Sequence, residues 1–441
     1  MKQKYLLITV MMSVVLFVNA GGGPVHPDGG GRKVLMWTFA RNNLDEWEAR
    51  EQEIEDVFNI DLQLELVPQN RFIRELQAVM LEGKGAPDII EWMIENNRIL
   101  FSDPERCFVL PLNDLYDRSP AFQKVPTGRL SWVTYGGNIY GLPHDVHPVI
   151  LIYNDTLWKE AGTDVAAIRD WDQFFQAAQR LIAKKEKSQP LHYALPMGDG
   201  GLGDTMWMIF QQTGAQFFDK EGNPLFTSNK FKAFMVKWFE WRSLGVFSNW
   251  DWGNFNKLLK DGTVCSYTSP DWWVSQVNAA VEDGRYEWRI RDLPLYPGGN
   301  GSRTSSWGGS FLAVPKTTKA PNFIFKLVEY MQYGNPNIAV ERYENGGMLA
   351  PVPDAWDDPV FHRPDPRFDG QRLGELQVSL APESPIVNVT DITWDIHQEL
   401  NELYPLIARG DISIDEALDL VQDKAVKYME DPQRGLRLRA E

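Results

Sequence analysis

Between Lys33 and Trp92 the apolar residues change period in an order that few architectures accept. Residues 33–39 form a continuous apolar run, and 42–58 then set Leu44, Trp47, Ile54, Val57 and Phe58 on one helical stripe. Residues 61–67 alternate Leu62, Leu64 and Leu66, residues 70–82 read as a second helix, and 87–92 are a short apolar strand. A β-α-β-α-β succession predicts a parallel sheet with right-handed crossovers, and ligands of such sheets lie beyond the carboxyl ends of the strands. Trp37 closes the first strand and Glu91-Trp92 the third. Core packing is the alternative for each ring, but two tryptophans at one sheet edge favour a wall for a ligand.

The rest of the chain is long enough to repeat this. With 441 residues and 43% hydrophobic content there is apolar material for more than one core, so two lobes are expected. Residues 139–143 and 149–153 read as strands, with the polar run His144-Asp145-Val146-His147-Pro148 as a chain crossing between them. Helices are expected over 171–185, 204–212, 230–244, 254–261 and 321–333, a strand over 311–314, and a proline-rich surface excursion over 351–385. A final helix pair covers 388–404 and 413–428, the second capped by Ser413 with Glu416 three residues on.

Composition removes several classes of function. Lys and Arg number 44 against 60 Asp and Glu, a net charge of −16, whereas phosphate recognition by a nucleic-acid binder needs a basic face. Cys107 and Cys265 form no CxxC pair, so neither a thiolate metal cluster nor a disulfide scaffold is expected. Lys2 and Lys4, the apolar run 5–18 and the small residues before Gly21 read as a cleaved export signal over 1–20. Residues 21–32, mostly Gly and Pro, read as a flexible leader, and no lipid-modifiable cysteine lies near the cleavage point. The mature protein is therefore expected to be periplasmic or secreted.

The motif search is mostly negative. Gly198-Asp199-Gly200-Gly201-Leu202-Gly203 fits GxGxxG, but it lies in mid-chain rather than in the first strand-to-helix turn, so a mobile loop at a cleft edge is favoured over a phosphate site. His144 and His147 invite a metal reading, yet residues three apart on an extended segment face opposite ways. There is no GxSxG and no P-loop. Asp145, Asp204 and Asp271 could serve as acid and base of a glycosidase. Carboxylates beside tryptophan are equally what sugar binding needs, because a sugar ring stacks its C–H face on an aromatic and its hydroxyls bond to acids. Such pairs recur: Glu91-Trp92, Asp204 with Trp207, Trp250-Asp251-Trp252, Asp271-Trp272-Trp273, and Asp391 with Trp394.

Several stretches resemble the extracellular solute-binding proteins of ABC importers, the large sugar-binding family that includes the maltose-binding proteins. The resemblance rests on Gly83 to Ile90, on Gly137-Asn138-Ile139-Tyr140-Gly141-Leu142-Pro143 followed by Ile152-Tyr153-Asn154, on Trp171-Asp172-Gln173-Phe174, on Ser269-Pro270-Asp271-Trp272, on Trp307-Gly308-Gly309 and on Gly410 to Leu418, in family order. It implies an α/β fold of two lobes joined by three hinge crossings (type II), near 144–148, 304–309 and 350–353. Lobe 1 would comprise 33–145 plus 308–351, and lobe 2 146–307 plus 352–441. It implies a sugar ligand held between the lobes by Trp37, Arg41, Trp92, His147, Trp207, Trp272, Trp307 and Trp394. Glu91, Asp145, Asp204, Asp271 and Gly308 are added as polar or backbone partners. His147 stands where the family often has an acid, and Asp271 and the Trp272-Trp273 doublet depart from its usual pattern. The implied partners are a mono- or oligosaccharide and the permease subunits of an ABC importer, for a monomer with no cofactor, no metal and no catalytic residue. An exported glycoside hydrolase and a binding protein for a non-sugar solute remain the alternatives.

Overall fold

A computed structural model describes residues 27–82, 85–97, 107–183, 192–197 and 203–430. The export signal, half of the leader (21–26) and the Gly-rich residues 198–202 lie outside the described residues. Twelve strands are present among the described residues: β1 (Arg32–Thr38), β2 (Ile60–Leu66), β3 (Ile89–Met93), β4 (Thr134–Tyr135), β5 (Asn138–Ile139), β6 (Leu142–Pro143), β7 (Ile150–Asn154), β8 (Leu195–Met197), β9 (Phe247–Asn249), β10 (Ser266–Ser269), β11 (Trp288–Arg291) and β12 (Ser310–Ala313).

The first lobe is built on a sheet of order β2-β1-β3-β12-β6. β1 is parallel to both β2 and β3, as the alternating pattern requires. The sheet is not parallel throughout, because β12 runs against β3 and β6. The chain leaves this sheet after β6 and returns to it at β12, which inserts between β3 and β6. In the second lobe β7 is flanked by β10 and β11, both antiparallel to it, and β8 pairs with β9 in parallel.

Two sequence expectations are corrected. The stripe over 42–58 is carried by two helices, Arg41–Glu48 and Glu51–Phe58. Arg50 leaves helical geometry between them (φ −119°, ψ 7°), and its guanidinium ion-pairs with Glu53 and Glu341. Leu44, Trp47, Ile54 and Phe58 still face the core. The stretch 351–385 is also more than a surface excursion. Pro353, Pro359 and Pro366 each open a short 3-10 turn, the first-turn position where a missing N–H costs nothing, and a helix follows at Leu373–Leu380. Trp356, Phe361, Phe368 and Leu373 are buried.

This segment straps both lobes. Asp369 pairs with Arg289 of β11 at 2.5 Å, and the Gln371 side chain bonds to both backbone groups of Ile290. Phe361 packs at 4.7 Å on Tyr343, whose hydroxyl donates to Gln377. The last two helices are Thr393–Arg409 and Ile414–Glu430, joined by the predicted capping box. Ser413 Oγ accepts the Glu416 N–H at 3.1 Å, and Glu416 accepts the Ser413 N–H at 2.8 Å. Cys107 and Cys265 are both free and buried. No helix among the described residues is long and apolar enough to cross a membrane.

Candidate ligand cleft

The three crossings lie side by side. Val149 N–H donates to Ser305 O (3.0 Å), Ser306 Oγ to Val146 O (3.0 Å), and Val146 N–H to Leu349 O (2.9 Å). A buried ionic network locks them together. The ring of His147 lies between Asp145, 2.5 Å from Nε2, and Asp271, bonded to Nδ1. Asp271 also accepts the N–H of Trp272 and, from the third crossing, that of Leu349, both at 2.8 Å. Arg129 donates to the Asp145 backbone (2.7 Å) and carboxylate (3.1 Å) and to Gly308 O of the second crossing (3.0 Å).

Backbone geometry serves this packing. His147 adopts φ 56°, a left-handed conformation that a non-glycine residue holds only when its surroundings over-determine it. Gly309, at φ 91°, lies so close that an added Cβ would fall on Arg129 and the His147 ring.

The network sets the charge states. Burial alone would lower the pKa of His147, but Asp145 and Asp271 outweigh it and raise it to about 8, so the ring is an imidazolium at neutral pH. Burial opposes ionisation of Asp145 as well, yet His147, His144 and Arg129 hold its carboxyl well below the usual range. A buried cation between two buried anions is the arrangement a low-dielectric hinge tolerates. Among the described residues no group of three His, Cys, Asp or Glu side chains is set to hold a metal ion.

Beside the hinge runs a line of aromatic rings. Trp272 Nε1 donates to Trp307 O at 3.1 Å. The Trp307 ring lies 5.6 Å from Trp207 and 6.5 Å from His397, and His397 stacks on Trp394 at 4.7 Å and 11°. From the first lobe Trp132 meets Trp307 edge-on at 6.5 Å. Trp394 borders a cavity of about 720 Å³, whose other walls, Gln69, Asn70, Met93 and Asn96, belong to the first lobe. A second cavity of about 520 Å³ reaches from the Gly136-Gly137 turn to Asp391, and a third of about 690 Å³ is bordered by Asp271, Trp272 and Gly347.

Of the sequence candidates, the structure therefore brings together Asp145, His147, Asp271, Trp272, Trp307, Gly308, Trp207 and Trp394. Trp37, Arg41, Glu91 and Trp92 stand elsewhere, and Asp204 lies one helical turn before Trp207. Trp37 donates to Glu65 at 2.9 Å across β1 and β2, with Phe72 edge-on to its ring. Arg41 is exposed and pairs with Asp45 and Glu48 of its own helix. Glu91 is fully buried; burial raises its pKa, and Thr38, Asn43 and Ser310 all donate to it. Trp92 belongs to the core, 1% exposed, bonded to Asn97 and packed on Phe311, and an added Cβ at Gly141 would meet its ring at 2.8 Å. Asp204 opens the helix Asp204–Gln211, where a carboxylate suits the helix dipole. Sequence reasoning missed Arg129, Trp132 and His397. None lies in a motif, although His397 is one helical turn from Trp394, a spacing that could have flagged it.

Residues 46–332 match the family model described as bacterial extracellular solute-binding protein. An arabinooligosaccharide-binding protein of Halalkalibacterium halodurans is 24% identical over 390 residues, 84% of this chain and 83% of that one. A probable amino-acid ABC transporter periplasmic-binding protein of Sinorhizobium fredii is 26% identical over 357 residues, 78% of this chain and 71% of that one. Among solved structures, the sugar-binding protein MalE from Xanthomonas citri superposes with a TM-score of 0.71 at 19% identity, covering 90% of this chain and 97% of that one. This likeness shows the two-lobed type II fold.

Proposed function

The chain belongs to the bacterial extracellular solute-binding protein family, and from that premise we propose that it captures a carbohydrate between its lobes and hands it to an ABC importer. The observation that carries this reading is the aromatic line from Trp272 through Trp307 and His397 to Trp394. Its far end faces the polar side chains Gln69, Asn70 and Asn96 of the other lobe across an open cavity. Rings on one wall and hydrogen-bonding groups on the other match the two faces of a sugar. Relatives named for arabino-oligosaccharides support the same class.

Within this reading Trp272, Trp307, Gly308, Trp207 and Trp394 form the ligand wall, while Asp145, His147 and Asp271 hold the hinge. The lobes comprise 33–145 plus 308–351 and 146–307 plus 352–441, a division supported by β7 to β11 pairing only among themselves within the described residues. The ligand is bound and not transformed. Asp145 and Asp271 are buried and neutralise one imidazolium, so neither is free to protonate or attack a glycosidic bond. The family is extracellular, and the protein works there as a free monomer after removal of 1–20.

Isothermal titration of the purified protein against arabino- and malto-oligosaccharides, with free amino acids in parallel, tests the ligand class. Saturable binding of a sugar with unchanged sugar on recovery is expected; binding of amino acids alone overturns the carbohydrate reading, and release of reducing ends overturns the non-catalytic one. Intact mass of exported protein checks the cleavage.

A further inference from the structure

Seventeen tryptophans occur in the chain and all are among the described residues. Fourteen are buried, Trp272 and Trp394 are half-buried, and only Trp252 is exposed, at 60%. Trp272 and Trp394 are already in the aromatic line. Trp252 touches it: its ring lies 6.1 Å from Trp272 and 5.3 Å from Trp273, with Trp250 edge-on at 5.0 Å.

A rigid turn holds the ring outward. One oxygen of Asp251 accepts the N–H groups of Gly253 (2.8 Å) and Asn254 (3.1 Å), and the other accepts from the Asn254 side chain (2.8 Å). Asn254 in return accepts the Asp251 N–H at 3.0 Å. Each polar group of the turn is thus used to fix it, and three rings brace Trp252 from beneath. An indole kept in water on a preorganised support offers a flat apolar face whose ordering cost is already met, which is how aromatic contact residues gain affinity.

We propose that Trp252 is an outer subsite, stacking on a sugar ring that extends beyond Trp272, so that the protein favours longer oligosaccharides over short ones. This rests on the carbohydrate reading above. Its occupant is argued from continuity: the exposed ring prolongs a line of rings that begins in the inter-lobe cavity.

The test compares Kd for a disaccharide and a hexasaccharide of the arabino series, and of the malto series, in wild type, Trp252→Ala and Trp394→Ala. Because Trp252 is exposed, Trp252→Ala should melt like wild type. It should weaken the hexasaccharide about tenfold, the loss of one good stacking contact, and leave the disaccharide unchanged. Trp394→Ala should weaken both. Equal losses for both lengths, or no loss for the hexasaccharide, overturns the subsite while sugar binding by wild type keeps the carbohydrate reading standing. If wild type binds neither series, both fall together. Impaired import with unchanged affinity would instead assign Trp252 to a protein partner and overturn the subsite.

Discussion

The hinge and the ligand wall touch at Trp272 and Gly308 yet are built from opposite materials. In the hinge, charge is buried and each ion is answered by another: Arg129, Asp145, His147 and Asp271 interlock three chain crossings within a few ångströms. In the wall, rings meet at 4.7 to 6.5 Å with varied tilts, and a hydrogen bond ties Trp272 to the backbone of Trp307. The hinge is therefore specific and intolerant, since removing one partner leaves the others buried and uncompensated. The wall is tolerant of small shifts, because stacking depends weakly on exact placement. A protein that must bend at one place and grip at another separates the two properties.

The largest effects should come from breaking the hinge. Arg129→Met leaves Asp145 without its guanidinium, and we expect a loss of about 3–5 kcal/mol in unfolding free energy by urea titration. Gly309→Ala should cost a similar amount by driving a methyl group into Arg129 and His147. A change under about 1 kcal/mol for both would mean that the network is not what holds the crossings. Trp92→Ala belongs with them, although Trp92 reads from the sequence as a wall residue. Its ring is in the core, so truncation should cost about 3–5 kcal/mol of stability while ligand affinity of the folded fraction is kept.

Trp92 shows where sequence reading stops. The succession of strands and helices and the first crossing were legible, because period changes and the polar run at 144–148 report directly on burial, whereas the other two crossings followed from the family resemblance. Tryptophan beside acid is the sequence signal for the proposed aromatic wall. Which rings lie in the core was not legible, because position along β3 does not reveal whether a ring points to the cleft or to the helices behind. Both faces of a central strand are apolar in such sheets. The hinge network escaped for another reason. His147 and Asp271 are 124 residues apart, and only the third dimension brings Arg129 to them. Of the two acids that hold the histidine, Asp145 is two residues away, whereas Asp271 reaches it only in the fold.

Trp394 is the residue where the wall can be tested without disturbing the hinge. It is half-buried, stacked on His397 and open to the cavity. Trp394→Ala should weaken sugar binding by about 1–3 kcal/mol, as expected for a central aromatic anchor, with a smaller change in melting temperature. A stability loss as large as that of Trp92→Ala with unchanged affinity would move Trp394 into the core and leave the wall without its inter-lobe end.

The smallest predicted effect is the most diagnostic, because it belongs to the hinge alone. The folded-state pKa of His147 is raised from an ordinary 6.5 to about 8. A raised value means that the folded protein holds the proton more tightly than the unfolded chain. Its stabilisation is thus complete below about pH 6.5 and is lost as pH climbs through 8. The ceiling on that loss is about 2 kcal/mol. Asp145 acts with the opposite sign: held well below its usual 3.8, it stabilises above that pH, and its contribution falls away as the solution becomes more acidic. Stability should therefore plateau between about pH 4 and 6.5 and decline on both sides. Urea midpoints measured from about pH 2 to 9 check this, with His147→Gln as the comparison on the alkaline side. The variant should be less stable throughout, since two buried carboxylates lose their shared cation, and its alkaline decline should flatten. An equally steep decline in His147→Gln would show that the imidazolium between Asp145 and Asp271 is not the group that titrates, and the contrast between an ionic hinge and an aromatic wall would lose its pH signature.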